Sequence, residues 1–167
     1  LVVPIQSRLG VTVAENRQPF FQEWSSNFGP QLQGIPIFFW LFFLVSIFLF
    51  YYMIREAHKK ERIVFTCSYM IFLISLVFSR YQPASIFNGT NTPSLFIYSL
   101  GFIVLILGGA YFYYQNWKLR EVERLKGIDM GLFMLFIFFL LGIASARGAV
   151  RLIMVLVPPA SAIAAYF

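Results

Sequence analysis

Five apolar runs, separated by short polar connectors, constrain this chain more than any other feature. They span residues 35–54, 63–79, 95–114, 130–146 and 150–167. An α-helix rises about 1.5 Å per residue, so roughly 17 to 25 apolar residues cross a hydrocarbon layer about 30 Å thick. Within lipid each backbone amide needs a partner in its own segment, which favours helices. The runs therefore predict an all-α polytopic membrane protein with about five transmembrane helices.

The composition supports a membrane protein and argues against nucleic-acid binding. Hydrophobic residues make up 59% of the chain and charged residues only 12%, whereas about 25% charged residues is usual in soluble domains. The net charge is +6, but the basic residues stand mostly at the ends of the apolar runs and form no single patch. Basic residues at such positions are typical of membrane anchoring. We therefore expect membrane lipid, and no nucleic acid, around this chain.

The charges of the connectors predict how the chain is oriented. Residues 55–62 carry four Lys or Arg, and residues 115–127 carry another four. Because excess Lys and Arg marks the cytoplasmic side, these connectors are predicted to lie inside. Residues 1–34 are then an external loop before a bundle formed by residues 35–167. The chain starts at Leu1 and stops inside an apolar run, so we expect an internal piece of a larger membrane protein.

Smaller features of the sequence predict local structure. Gly108-Gly109 within the third run predicts close approach of a neighbouring helix. Pro158-Pro159 within the last run predicts a kink or a local opening. The triplet Asn88-Gly89-Thr90 has the pattern of a glycosylation acceptor and lies in a connector on the predicted outer side. Asn88 is therefore a possible modification site.

Two places carry polar residues that suit chemistry. In Thr12-Val13-Ala14-Glu15, the carboxylate stands among apolar residues rather than in a charged run. It is either a solvated loop residue, alone or paired with Arg17, or part of a site. Arg147 and Arg151 are four residues apart, so in a helix they would share one face. Guanidinium forks on one face would suit a diphosphate; alternatively, both side chains are anchors at a helix end.

At these residues the sequence resembles a known family. Thr12-Val13-Ala14-Glu15 with Pro19 is similar to the Thr/Ser-x-x-Glu motif in the fifth external loop of oligosaccharyltransferase catalytic subunits. Residues 150–158, Val-Arg-Leu-Ile-Met-Val-Leu-Val-Pro, resemble a Val-Arg-Leu…Leu-x-Pro stretch further along the same family, in its archaeal members. The two motifs come in the family's order and on the same predicted side.

The resemblance implies an enzyme of protein N-glycosylation in an archaeal cell membrane or its equivalent, acting on the external or luminal face. Its substrates would be a dolichol-type lipid-linked oligosaccharide and a polypeptide with Asn-x-Ser/Thr. By the resemblance, Glu15 lies beside the acceptor amide and a divalent metal, Mg²⁺ or Mn²⁺, and the loop with Thr12 and Pro19 pins the acceptor peptide. Arg151 contacts the carrier's phosphates, whereas the same role for Arg147 depends on helical spacing alone.

The sequence also departs from the family. No Trp-Trp-Asp-x-Gly sequence occurs around the three Trp, and the acidic pairs of earlier external loops are absent. Four spans separate the two motifs, where about two are expected. We expect this piece to be part of a multi-span membrane domain of the enzyme. On its own it is expected to be inactive.

Two other functions remain open on the sequence. One is a transporter or channel subunit, with the Pro158-Pro159 break and the outer arginines along an anion path. The other is a different glycosyltransferase that uses a polyprenyl-phosphate sugar.

Overall fold

The computed structural model describes residues 18–26, 31–118 and 129–166, and within these ranges the chain is helical and has no strand. Two isolated bridges, Leu32 with Ile35 and Arg80 with Asn88, close short turns. In chain order the described elements are α1 (Phe21–Ser26), α2 (Ile37–Met53), α3 (Lys59–Phe78), α4 (Thr92–Lys118), α5 (Met130–Gly148), a 3₁₀ turn (Val150–Leu152) and α6 (Ile153–Tyr166).

Each of the five predicted apolar runs coincides largely with one of the long helices α2 to α6. The helices α3 and α4 are longer than their runs because Lys59 to Arg62 and Gln115 to Lys118 continue them past the apolar stretch. Among the residues that the structure describes, three helices are long and apolar enough to cross a membrane: Lys59–Phe78, Thr92–Trp117 and Met130–Gly148. The helical and membrane-embedded character predicted from the sequence agrees with this result. Crossing by the shorter helices Ile37–Met53 and Val150–Tyr166 stays a prediction.

The hairpin of α3 and α4 packs through glycines and serines. A Cβ added at Gly101 would lie 2.5 Å from the Ser75 Cβ, and one added at Gly108 would lie 2.3 Å from the Ser68 Oγ. Ser75 Oγ donates to Ile71 O at 2.7 Å, and Ser68 Oγ donates to Val64 O at 3.0 Å. Both hydroxyls therefore have acceptors within their own helix. Small residues let two helix backbones approach closely, and the predicted close approach at Gly108 is confirmed.

Aromatic rings join this hairpin to the rest of the bundle. The ring centroids of Phe50 and Tyr69 are 4.6 Å apart, those of Phe50 and Phe136 are 5.0 Å apart, and those of Tyr69 and Phe136 are 5.2 Å apart. The three rings come from α2, α3 and α5 and are all buried. Such pairs add to the apolar burial that holds the helices together.

The helices α5 and α6 pack against each other at Gly142. A Cβ added there would lie 3.2 Å from Leu156 Cδ1 and 3.5 Å from Pro159 Cγ. Pro158 and Pro159 are inside α6, which continues through them to Tyr166. The start of α5 is capped by Asp129, whose carboxylate accepts from Gly131 N at 2.7 Å and from Leu132 N at 3.3 Å. Side-chain oxygens satisfy amides that have no partner at a helix start.

Candidate anion site at one end of the bundle

Two arginines meet one carboxamide oxygen where α3 ends and α5 ends. Arg80 Nη1 donates to Gln18 Oε1 at 3.3 Å, and Arg147 Nη1 donates to the same oxygen at 3.1 Å. Gln18 precedes α1, Arg80 follows α3 and Arg147 is in the last turn of α5. Arg80 and Arg147 lie 62 and 129 positions after Gln18 in the sequence, yet both contact it in the folded chain. We call this set (Gln18, Arg80 and Arg147) the arginine cluster.

The stretch that carries Gln18 is docked on the bundle by several contacts. Phe21 N donates to Arg80 O at 3.0 Å. The Arg80 guanidinium carbon lies 4.2 Å from the centroid of the Phe20 ring, a distance typical of a cation–π contact. The Phe21 ring stacks on Phe78 at 4.9 Å and on Tyr81 at 5.6 Å. These contacts fix the backbone next to Gln18.

Pro19, predicted to belong to the acceptor loop, is buried directly after Gln18. Its φ is limited to about −65° by its ring, which restricts the chain beside Gln18. The other predicted residues of this loop, Thr12 and Glu15, lie outside the described residues. Their roles stay predictions.

A turn between α3 and α4 positions Arg80. Tyr81 N donates to Phe87 O at 2.7 Å, which brings Gly89 back over the Arg80 side chain. Gly89 has φ +87°, and a Cβ there would lie 2.8 Å from Arg80 Nη1 and 2.9 Å from Arg80 Cγ and Cδ. Both the backbone conformation and the space therefore require glycine. Gly89 N donates to Ser94 Oγ at 3.1 Å and ties the turn to the start of α4.

Asn88, the possible modification site, shapes the same turn. Its Oδ1 accepts from Thr90 N at 2.9 Å, from Thr90 Oγ1 at 3.0 Å and from Asn91 N at 2.9 Å. Asparagine commonly closes turns in this way. These contacts explain the residue's structural role, and its glycosylation stays a prediction.

Arg147 is partly buried and lines a small cavity. The cavity measures about 230 Å³ and is also lined by Gln18, Ser94 and Tyr98. The Arg147 guanidinium carbon lies 5.4 Å from the Tyr98 ring centroid. Its Nε is buried and, within the described part of the chain, has no hydrogen-bond partner. A buried donor without an acceptor costs free energy, and within the described residues Arg62 Nε, at the other end of the bundle, is in the same situation.

The predicted common helical face for Arg147 and Arg151 is wrong. α5 ends at Gly148, and Ala149 is extended with φ −156° and ψ 146°. A 3₁₀ turn follows from Val150, so no continuous helix relates the two side chains. Arg151 is exposed on that turn, and the arginine that joins Arg147 is Arg80. No local signal pointed to Arg80, although it is the only Lys or Arg in residues 80–94.

The other end of the α3–α4 hairpin has a different polar contact. Asn116 Nδ2 donates to Glu61 Oε2 at 3.2 Å and to Phe112 O at 2.7 Å. Glu61 is in the first turn of α3, whereas Arg80 follows its last. The segments predicted to lie outside, which supply Gln18, Arg80 and Arg147, therefore meet at one end of the bundle. The membrane side of that end stays a prediction.

Ligands for the implied metal are not grouped in the described ranges. Among residues 18–26, 31–118 and 129–166, no three His, Cys, Asp or Glu side chains come together in a way that could hold a metal ion. The arginine cluster itself is cationic and does not fit a divalent cation. Glu15, the residue predicted beside the metal, lies outside those ranges.

Comparison with known proteins adds no relative: no family model, no curated protein and no solved structure matches this chain.

Proposed function

We propose that this chain is part of the catalytic subunit of an oligosaccharyltransferase, which transfers a glycan from a polyprenyl phosphate or diphosphate carrier to Asn in Asn-x-Ser/Thr. The observation that carries the proposal is the arginine cluster, in which two guanidinium groups lie within hydrogen-bonding distance of Gln18 Oε1. Gln18 follows Glu15 by three positions in the sequence. The motifs around Glu15 and Arg151 support the same function.

The carrier's phosphate is the leaving group of this reaction. The bond from the sugar's anomeric carbon to the phosphate oxygen breaks, and the electron pair stays on that oxygen. Cations that are already in position favour charge where it develops. Arginine suits this role because it keeps its charge and offers paired N–H donors to phosphate oxygens. In the proposal Arg147 holds the phosphate from the cavity and Arg151 contacts it from the 3₁₀ turn.

The acceptor side of the reaction is assigned to Glu15. Glu15 comes three residues before Gln18 in the sequence. An amide nitrogen is a poor nucleophile. In the proposal the carboxylate accepts hydrogen bonds from its N–H groups, positions it for attack on the anomeric carbon, and takes up the proton that the nitrogen loses as the C–N bond forms. Thr12 and Pro19 would belong to the loop that holds the acceptor peptide. The implied Mg²⁺ or Mn²⁺ would need oxygen ligands in addition to Glu15.

The same proposal fixes the placement of the chain. All five helices α2 to α6 cross the membrane, and the arginine cluster faces the external or luminal side. The cell membrane of an archaeon, or its equivalent, is the proposed location. This placement lets a lipid-linked glycan reach the cluster from the outer leaflet.

The experiment that tests the proposal is Glu15→Gln in the intact membrane protein, with glycan transfer to an Asn-x-Thr peptide as the readout. We expect at least about a 100-fold loss of transfer, because acid–base groups of this kind contribute about 10² to 10⁴. Arg151→Ala should raise the KM for the carrier, and Arg55→Ala, at the other end of the bundle, is its control. Normal transfer by a folded Glu15→Gln protein would overturn the assignment.

A further inference from the structure

We propose that the end of the bundle where α2 stops and α3 starts is a binding surface for anionic phospholipid headgroups. Its cations are Lys59, Lys60 and Arg62, which we call the basic surface. The two lysines are exposed and the arginine is half-buried. The basic surface lies at the opposite end of α3 from the arginine cluster, and its assignment does not depend on the proposed glycan transfer.

Both acidic residues of the connector between α2 and α3 have other partners. Glu56 Oε1 lies 3.2 Å from Arg55 Nε, so these two charges offset each other. Glu61 is only 6% exposed and accepts from Asn116 Nδ2 at 3.2 Å, so its carboxylate is turned into the hairpin. Among the described residues, no carboxylate forms an ion pair with the basic surface. An anion from outside the described chain is therefore the available counter-charge.

Arg62 is held in place within this surface. Its Nη1 donates to Arg55 O at 3.1 Å, and its guanidinium carbon lies 4.2 Å from the centroid of the Tyr51 ring. Its Nε is buried, which leaves the Nη2 donors to meet a phosphate oxygen, an acceptor that suits a guanidinium group. A side chain that is already fixed loses less conformational freedom when a ligand binds. Arg62 thus offers a positioned donor beside the two exposed lysines.

Aromatic rings on α4 set the level of this surface in the membrane. The helices α3 and α4 run antiparallel, and Asn116 meets Glu61, so Trp117 lies level with the first turn of α3. Trp117 is 64% exposed, and its ring lies 5.9 Å from that of Tyr113, which is 59% exposed. Exposed Trp and Tyr are enriched at the level of the lipid headgroups. The lysines of that first turn therefore reach the headgroups.

The charge of the surface selects the kind of lipid. Each Lys or Arg near an anionic membrane contributes about fivefold in affinity, equivalent to about 1 kcal/mol. A zwitterionic headgroup such as phosphatidylcholine carries its own cation, so it gains less from the basic surface. Free phosphate in solution has no acyl chains to pack against Trp117 and Tyr113. The partner that fits both the cations and the aromatic rings is an anionic phospholipid.

The test measures quenching of Trp117 fluorescence in the intact protein by phosphatidylglycerol or phosphatidylcholine with brominated acyl chains, in mixed-lipid vesicles. Trp117→Phe gives the signal of the other two Trp, which is subtracted. We expect phosphatidylglycerol to be preferred next to Trp117 in the wild type, and the double variant Lys59→Gln/Lys60→Gln to lower this preference about tenfold or more. Equal preference in the wild type and the double variant would overturn the inference.

Matched variants separate a local surface from net charge and from misfolding. Arg151→Gln removes an exposed cation at the other end of the bundle, beyond the reach of screened charges, and should leave the preference within about twofold. Lys59→Arg/Lys60→Arg keeps both charges and should keep the preference. Cations in the first turn of a helix oppose its dipole, so loss of the lysines should leave α3 intact, which circular dichroism checks. Equal losses in Arg151→Gln and Lys59→Gln would show that net charge alone acts, which would also overturn the inference.

Discussion

The two ends of the helix bundle use arginine in opposite ways. At the end where α2 stops and α3 starts, each arginine meets residues close to it in sequence: Arg55 Nε lies 3.2 Å from Glu56 Oε1, and the Arg62 guanidinium lies 4.2 Å from the Tyr51 ring centroid. At the other end, Arg80 and Arg147 come from distant parts of the chain to one neutral oxygen. Arg55 thus has a charged partner next to it in sequence, whereas the contact that joins Arg80 to Arg147 is built by distant parts of the chain, as the proposed anion site requires.

Among the residues at these two ends, the largest expected effect is that of losing Arg147. Removing one preorganised donor to a developing negative charge usually lowers the rate by about 10² to 10³. Arg147→Gln should therefore lower glycan transfer about 100-fold, while Arg55→Gln stays within about twofold of wild type. The measurement is initial rate at saturating carrier. Equal losses in both variants would remove the distinction between the two ends.

A glycine pair tests whether the turn over Arg80 serves the site. Gly89 and Gly34 both have positive φ, of 87° and 81°, but only Gly89 has Arg80 where a Cβ would stand. Alanine at either position should cost about 1–3 kcal/mol in the free energy of unfolding. Only Gly89→Ala should also weaken binding of the lipid carrier, measured as a raised KM in glycan transfer. If both variants weaken binding to the same extent, backbone strain explains the loss and the contact with Arg80 does not.

At the opposite end, the contact between Asn116 and Glu61 should be structural only. Both side chains are buried, and Asn116→Ala leaves the carboxylate of Glu61 without this donor. We expect a loss of about 1–3 kcal/mol in the free energy of unfolding in detergent micelles. The KM for the carrier should stay unchanged, and Gln115→Ala is the control. A raised KM in Asn116→Ala would show that this end also takes part in carrier binding.

The smallest expected effect is on stability when the exposed pair of Arg55 and Glu56 is broken. About half of each side chain is accessible to solvent, at 52% and 49%. Exposed pairs contribute about 0–1 kcal/mol, so Arg55→Gln should change the free energy of unfolding by less than about 1 kcal/mol. A clearly larger loss would mean that this end is more than an anchor.

The helices were predictable from the sequence because apolar length alone decides them in lipid. Arg147 was also recognisable, since it stands where the charge rule disfavours it. Its partner was not: Arg80 is brought to it because α3 and α5 both pack on α2, and nothing local encodes a contact across such distances. Arg151 was placed on the wrong face because Ala149 leaves the helical conformation after Gly148. Glu15 and Thr12 lie outside the described residues, so their predicted roles still depend on the motif.

The glycine–serine contacts between α3 and α4 also fix how far α4 can slide along α3. Gly101 meets Ser75 and Gly108 meets Ser68, so both pairs repeat every seven residues in opposite directions. Sliding α4 by one helical turn, about 5.4 Å, would put bulkier side chains such as Leu105 and Phe112 against the two serines. The two helices therefore pack in a single register along their axes. The loop that joins the two helices, with Arg80 at its start, is therefore held at one position along α3 and α4.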